Sequence, residues 1–266
     1  MLKELKFKAL KTLVDTIGQT SDGLKLCSQY GFTSGKMLDY IYQNQPSGKY
    51  LIGKLIDRIF IRHAGWEVIR TRKNNLVNSL KTAIVLTLTD KNDVFIVDVA
   101  SGPAKYILET MDKFRNENVF AVCRDIDTRW LEEGKIKAES LGLSNMEFKE
   151  GNALEPNSFK ELNKIPNIIV SSGFYDWIID DELVKKSMQI IYNNLPVDGY
   201  FVFTNQSDHV DLEMVKNVFQ DFNHNPLEMK IRNACLINSW AKEIGFKIIE
   251  TNSDKQGYYS VTLAQK

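Results

Sequence analysis

Long apolar runs, an excess of either charge, paired cysteines and clustered histidines are all missing from this 266-residue chain. No apolar run approaches the roughly 20 residues that cross a bilayer. The opening stretch MLKELKFKALKTLV is amphipathic and lacks the apolar centre of a secretory signal. Lysine plus arginine equals aspartate plus glutamate, 34 against 34. That balance argues against a nucleic-acid protein held mainly by bulk charge, although a local basic patch would survive the average. The three cysteines, Cys27, Cys123 and Cys235, are widely spaced and form no C-x-x-C pair. They read as reduced thiols of a cytoplasmic protein. With three histidines in the whole chain, no metal-ligand spacing appears. No membrane and no nucleic acid is therefore expected as a partner, and the oligomeric state is left open.

What is present is an ordinary globular composition, 43% hydrophobic and 26% charged, enough for a real core. The first 90 residues carry helical patterning throughout. Leu2 to Ile17, Asp22 to Tyr30, Ser34 to Gln43, Tyr50 to Arg62 and Asn75 to Leu88 each read as a helix. In the fourth, Leu51, Ile52, Leu55, Ile56, Ile59 and Phe60 keep the 3–4 spacing of an apolar stripe. From Val94 the texture changes. Strand-like runs at Val94–Val99, Val119–Cys123, Met146–Lys149, Asn167–Ser172 and Tyr200–Thr204 alternate with helices to about Arg115, at Arg129–Leu141, Phe159–Asn163 (short) and Asp180–Asn193. A helix at Leu236–Ile244 precedes two final strand-like runs, Phe246–Thr251 and Tyr258–Ala264. Strands alternating with helices give a parallel sheet, and a terminal hairpin adds an antiparallel strand. The expected fold is α/β, a Rossmann-like sheet of seven mostly parallel strands with the last antiparallel. Residues 1–90 form an all-helical cap and residues 91–266 the ligand-binding domain.

The organising stretch is DVFIVDVASGPAKYILETM, a buried strand, a small-residue turn and a helix. In open parallel sheets, ligands bind just beyond the carboxyl ends of the strands. Two ligands fit such a unit, a dinucleotide or S-adenosylmethionine (SAM). A pyrophosphate wants several bare backbone amides at a helix N-terminus, but only Gly102 survives in this turn, and Pro103 contributes no amide. SAM carries no phosphate. Asp125, just past the second strand, suits the ribose hydroxyls of either ligand. The terminal antiparallel hairpin is unexpected for the dinucleotide arrangement.

From about Asn75 onward the order of features resembles the class I SAM-dependent methyltransferases. DVASGPAKYILE stands where that family has an acid followed by a glycine-rich loop. Arg124-Asp125-Ile126-Asp127 stands at the ribose acid, and Glu150-Gly151-Asn152-Ala153 at the segment that meets adenine. More narrowly, SGKMLDYIYQNQ, LIDRIFIRHAGWEVIRTRK, SGFYDWIIDDELVKKSM, DGYFVFTNQSDH and EIGF are similar to a bacterial methyltransferase branch sometimes fused to an α/β-hydrolase. The resemblance implies a class I SAM-dependent methyltransferase with SAM held by Asp98, Ala100, Ser101, Gly102, Tyr106, Asp125, Ile126, Asn152, Ala153, Ser172 and Gly173. Ala100 and Ala104 replace the loop's outer glycines, and alanine tolerates positive φ poorly. An ordinary backbone or a displaced loop is then expected.

Residues for chemistry follow from position. Tyr175, after the fourth strand, is a pocket candidate. His209, after the fifth, is a candidate general base. Arg232 could clamp a substrate carboxylate. Tyr42, Arg70 and Arg72 are lid candidates for the amino-acid end of SAM. The expected reaction is methyl transfer to a small-molecule acceptor. The alternatives are another SAM-consuming reaction, such as aminocarboxypropyl transfer or intramolecular cyclisation, and a non-catalytic SAM-binding module.

Overall fold

The computed structural model describes residues 2–221 and 223–266; Met1, where the amphipathic N-terminal stretch begins, lies outside them. The chain forms two compact units: Met1–Arg70 with His209–Met229, and Thr71–Asp208 with Lys230–Lys266.

The second unit is built on one seven-stranded sheet in the order β3-β2-β1-β4-β5-β7-β6. Its strands are β1 (Val94–Asp98), β2 (Val119–Asp125), β3 (Met146–Glu150), β4 (Ile168–Ser171), β5 (Tyr200–Gln206), β6 (Lys247–Ser253) and β7 (Tyr259–Gln265). The central strand β1 is buried at every position, as a continuous β-branched run requires when both faces are covered. It pairs in parallel with β2 on one side and β4 on the other, so Asp98 lies level with Cys123 and Val170. Strand order reverses between β1 and β4, and the loops leaving their carboxyl ends border the crevice that such a reversal creates. The strand β7 runs antiparallel between β5 and β6, as the terminal hairpin predicts.

Two apolar layers cover the sheet. One packs Ile96, Ala121, Val170 and Val202 against Leu76, Leu80 and Ile84 and against Ile107 and Met111. The other packs Val97, Ile169, Phe201 and Phe203 against Val184, Met188, Ile191 and Trp240. Each side chain of this size, fully buried, contributes about 1.5–3 kcal/mol. The helix carrying Leu76 to Ile84 is α5 (Ala64–Asp90), one continuous element that begins well before the expected Asn75. Its later turns belong to the sheet's core, and for that reason the compact units divide at residue 70 rather than at the expected 90. The remaining helices of this unit are α6 (Lys105–Lys113), α7 (Thr128–Ser140), α8 (Asp181–Asn194) and α10 (Ala234–Ile244). The short helix expected at Phe159–Asn163 is a 3-10 turn over Pro156–Phe159, begun by the proline's fixed φ.

The helical unit contains α1 (Leu2–Asp15), α2 (Asp22–Tyr30), α3 (Gly35–Gln43), α4 (Tyr50–Ile61) and α9 (Leu212–Val218). The segment 209–229, which begins with the His209 expected beyond the fifth strand, joins this unit. Phe219 stacks on Phe32 at 4.7 Å, and Phe32 stacks on Trp66 at 4.6 Å. The knot of the unit is Asp57. Its buried carboxylate accepts from Ser21 Oγ (2.6 Å), the Gly23 amide (2.8 Å), Tyr40 Oη (2.5 Å) and the Ser47 amide (2.9 Å). Four donors offset the cost of burying the charge and tie three helices to one side chain.

Asp57→Ala is expected to destabilise this unit by about 3 kcal/mol, because four donors, two of them buried, lose their shared acceptor. Hydrogen exchange checks it: the Gly23 and Ser47 amides should lose protection, and unchanged protection at both would refute the role.

Candidate active site

The turn after β1 runs 99–104. Gly102 (φ +51) and Ala104 (φ +53) are both left-handed. Alanine at 104 therefore did not force an ordinary backbone, the first of the two expected outcomes. The strain of order 1 kcal/mol is offset by full burial of its methyl group, worth about 0.8 kcal/mol. Ser101 N–H donates to the Arg124 carbonyl (2.9 Å), which ties the turn to β2. Beside Gly102 an added Cβ would meet nothing within 4 Å, so the turn presents an open face.

Asp98 closes β1 beneath this turn. It is fully buried, and Tyr106 donates its hydroxyl to Oδ2 at 2.5 Å. Its other oxygen, Oδ1, is buried with no hydrogen-bond partner among the described residues. Burial pushes its pKa up to about 8, against partial pulls downward by the Tyr106 hydroxyl and the Ala100 amide. Across the turn, Asp125 Oδ2 accepts from the Gly102 amide (2.8 Å) and Oδ1 from the Asp127 amide (2.9 Å). Burial raises this carboxyl as well. Next to it Ile126 is 70% exposed, an apolar surface held beside an acid. Asn152, half-buried beyond β3, is engaged in its own turn, Oδ1 accepting from Leu154 N–H (3.0 Å) and Nδ2 donating to Glu155 (3.1 Å). Ala153 is buried and offers its carbonyl to Ser187 Oγ.

At the ends of β4 and β5, Ser172 and Gly173 (φ +66) form a turn whose Gly173 amide donates to Thr204 Oγ1 at 2.7 Å. The Arg72 guanidinium lies against this turn: a Cβ on Gly173 would stand 3.1 Å from Nη1. Arg72 also lies 4.9 Å from the Tyr259 ring centre, donates to the Tyr259 hydroxyl and acts electrostatically on both Asp176 and Tyr106. Asp176, buried, accepts the Gln206 amide (2.9 Å) and lies 3.2 Å from Tyr259 Oη. Arg72 is thus the cation between the β1 turn and the β4 turn.

The geometry moves two expected catalytic residues from the pocket to its scaffold. Tyr175 is 1% exposed, packed in the layer under α8 with its hydroxyl 3.4 Å from Ser187 Oγ. Arg232 is buried and its guanidinium is occupied, by the Tyr175 carbonyl (2.7 Å), the Ile178 carbonyl (2.5 Å) and Asp181 (2.8 Å). It holds the β4 turn rather than a substrate. His209 and Tyr42 belong to the helical unit, where His209 Nδ1 faces the Val210 carbonyl. Arg70, also there, donates to the Ile61 carbonyl at 3.1 Å.

Two residues went unread in the sequence. Arg124 is buried, with Nη2 on the Glu150 carbonyl (2.8 Å) and Nε and Nη1 unpartnered among the described residues. Gly151 is glycine because a Cβ there would lie 2.4 Å from Arg124 Nε. A charged pair closing an apolar strand was the available signal. Asp176 was hidden in an acid-rich run, where only its position just past β4 set it apart.

A family profile described as "Putative methyltransferase" matches residues 1–266. The uncharacterized protein YnbC of Escherichia coli is 30% identical over 265 residues, covering 98% of this chain and 45% of YnbC. The chain spans less than half the length of that relative. Among solved structures, one from Bordetella parapertussis, named as a possible exported protein, superposes with a TM-score of 0.68 at 14% identity. It covers 88% of this chain and 79% of its own. Magnesium protoporphyrin IX methyltransferase (ChlM) from Synechocystis PCC 6803, solved with bound SAH, gives 0.57 at 13% identity, with 89% and 97% covered. At these identities the structures establish the Rossmann-like methyltransferase fold. The chain belongs to the methyltransferase family whose profile it matches from end to end.

With its folded-state pKa raised to about 8, Asp98 favours the folded chain when protonated. Its contribution to stability is full below the unfolded carboxyl value near 4 and is lost as pH rises through about 8. Asp98→Asn mimics the protonated form. The melting temperature of the wild type should fall relative to this variant between about pH 5 and 8, with a constant gap above. Parallel pH profiles would refute the assignment.

Proposed function

We propose that the sheet unit binds S-adenosylmethionine in the crevice bordered by the β1, β2 and β4 turns, and that the protein transfers the methyl group to a small-molecule nucleophile. The observation that carries the reading is the pairing of two acids around one open glycine. Asp98 keeps a buried carboxyl oxygen without a donor, and Asp125 grips the Gly102 amide while its oxygens retain lone pairs. The residues fit the cofactor. The open face at Gly102 admits a ligand against the backbone, and Asp125 suits two vicinal hydroxyls. Exposed Ile126 offers an apolar face to a purine. A pyrophosphate would meet carboxylates here and is disfavoured.

When bound, the cofactor supplies a methyl group already activated on a positively charged sulfur. The chain's own work is positioning and exclusion of water, which together can lower a barrier by several kcal/mol. Asp98 and Tyr106 fix the turn from below. The β4 turn, held by Thr204 on one side and by Arg232 beneath, forms the opposite wall. Arg72 supplies the one guanidinium on that wall described above, suited to a carboxylate. An acceptor that is already nucleophilic needs no strong base, in keeping with the buried Tyr175 and the helical-unit placement of His209.

SAM and SAH should each raise the melting temperature, with stabilisation of about 2.7 kcal/mol at a hundredfold excess over Kd. Asp125→Ala should abolish the shift, and Asp125→Asn, which keeps an acceptor for Gly102, should weaken it. No shift at millimolar SAM would overturn the reading. After turnover, mass spectrometry should find S-adenosylhomocysteine; methylthioadenosine would assign one of the other SAM-consuming reactions.

Arg72→Ala should weaken SAH by about tenfold while leaving methylthioadenosine, which lacks the carboxylate, unchanged. That follows if a charge-assisted pair is worth 1.5–3 kcal/mol when buried and less at this half-exposed mouth. Equal losses for both ligands by calorimetry would make Arg72 a purely structural residue.

A further inference from the structure

Helix α4 buries a glycine, an aspartate and one isoleucine and leaves four aliphatic side chains exposed. It is anchored through Gly53, Asp57 and Ile61, four residues apart and all buried. A Cβ at Gly53 would stand 2.3 Å from the Thr20 carbonyl oxygen, so helix and turn touch backbone to backbone. Asp57 is the four-donor knot described above. With 3.6 residues per turn, an anchor on 53, 57 and 61 turns 51, 52, 55 and 59 the opposite way. Leu51 is 90% exposed, Ile52 55%, Leu55 55% and Ile59 68%, with Tyr50 81% exposed at the helix head. Scattered exposed aliphatics are ordinary, but a contiguous row marks an interaction surface.

Charge identifies the occupant. Lys54, Arg58 and Arg62 are exposed and run as a second row beside Leu51, Leu55 and Ile59, with exposed Lys49 at the helix head. None of the four forms an ion pair among the described residues. The sole carboxylate of α4, Asp57, is buried and consumed by its donors. The whole chain is charge-balanced, so this excess is local. A second copy seated face to face would bring two cationic rows together across the two-fold axis. No helix among the described residues is long and apolar enough to cross a membrane. A helix with an aliphatic row, an aromatic at its head and a flanking basic row fits the surface of an anionic bilayer.

We propose that α4 is a membrane-surface helix, its aliphatic row at the headgroup–acyl boundary and its basic row on lipid phosphates. This revises the sequence expectation of no membrane partner, and it does not depend on the reaction proposed above.

The test is flotation of the full chain with vesicles of phosphatidylethanolamine and phosphatidylglycerol, against phosphatidylcholine alone. The wild type should bind the anionic vesicles at least about tenfold more tightly than the neutral ones, and lose binding in high salt. Leu51→Ser/Leu55→Ser and Lys54→Glu/Arg58→Glu should each reduce binding by about tenfold or more. Their melting temperatures should stay at the wild-type value, because all four side chains are exposed. Absence of wild-type binding, or unchanged binding by either variant, would overturn the proposal. Light scattering showing a wild-type dimer that Leu51→Ser/Leu55→Ser dissociates would give the face to a second copy and overturn it equally.

Discussion

A carboxyl group buried at the end of the central strand sets the terms for the sheet unit. Asp98 is fully buried, and among the described residues its Oδ1 has no hydrogen-bond partner while Tyr106 donates to Oδ2. A buried acid in that condition is costly unless its proton or a partner resolves it. The surrounding chain responds locally. Tyr106, in the first turn of α6, donates to it, the left-handed Gly102 and Ala104 fold the turn over it, and Asp125 clamps that turn from the next strand. The rest of the sheet supplies rigidity for this arrangement, since β1 is paired along its length with β2 and over Ile96–Asp98 with β4. Local strain and an unsatisfied group in an otherwise regular domain are features that concentrate where a fold does its chemistry.

The alternation of strand and helix after Val94 was legible because burial on both faces demands continuous apolar runs, and those survive in any sequence window. The antiparallel seventh strand was legible for the same reason, together with its turn residues. Asp98 and Asp125 stood out as acids at or just past the ends of apolar strands, while the hydrogen bonds they make to the turn came only from the structure. Tyr175 was misplaced because position after a strand says nothing about which way a side chain turns, and Arg232 because a guanidinium's chemistry does not say which oxygens it meets. Only the burial of Tyr175 and the three oxygens around Arg232 decide that. The stripe on α4 misled for a complementary reason. Periodicity reports that a helix has two faces, but which one packs depends on close approach at Gly53 and on the donors gathered by Asp57.

The two units are held by different physics. The sheet unit has two continuous apolar layers of the kind that dominate folding energetics. The helical unit has a small core around Met37, Ile41, Ile61 and Trp66, supplemented by one buried carboxyl group with four donors. A small core leaves aliphatic residues without interior positions, and several of them stand on the outside of α4.

The union of residues 209–229 with the N-terminal helices has a bearing on heredity. Phe32 stacks on Phe219 and donates its amide to the Gln220 carbonyl at 2.8 Å, so sequence elements far apart in the gene complete one another in space. A recombination breakpoint near residue 70 or 90 would strand Phe219 without its aromatic neighbours. The helical segment and the loop between β5 and α10 are therefore obliged to be inherited together. An exchange of the N-terminal helices between homologues would succeed only if that distant loop travelled with them.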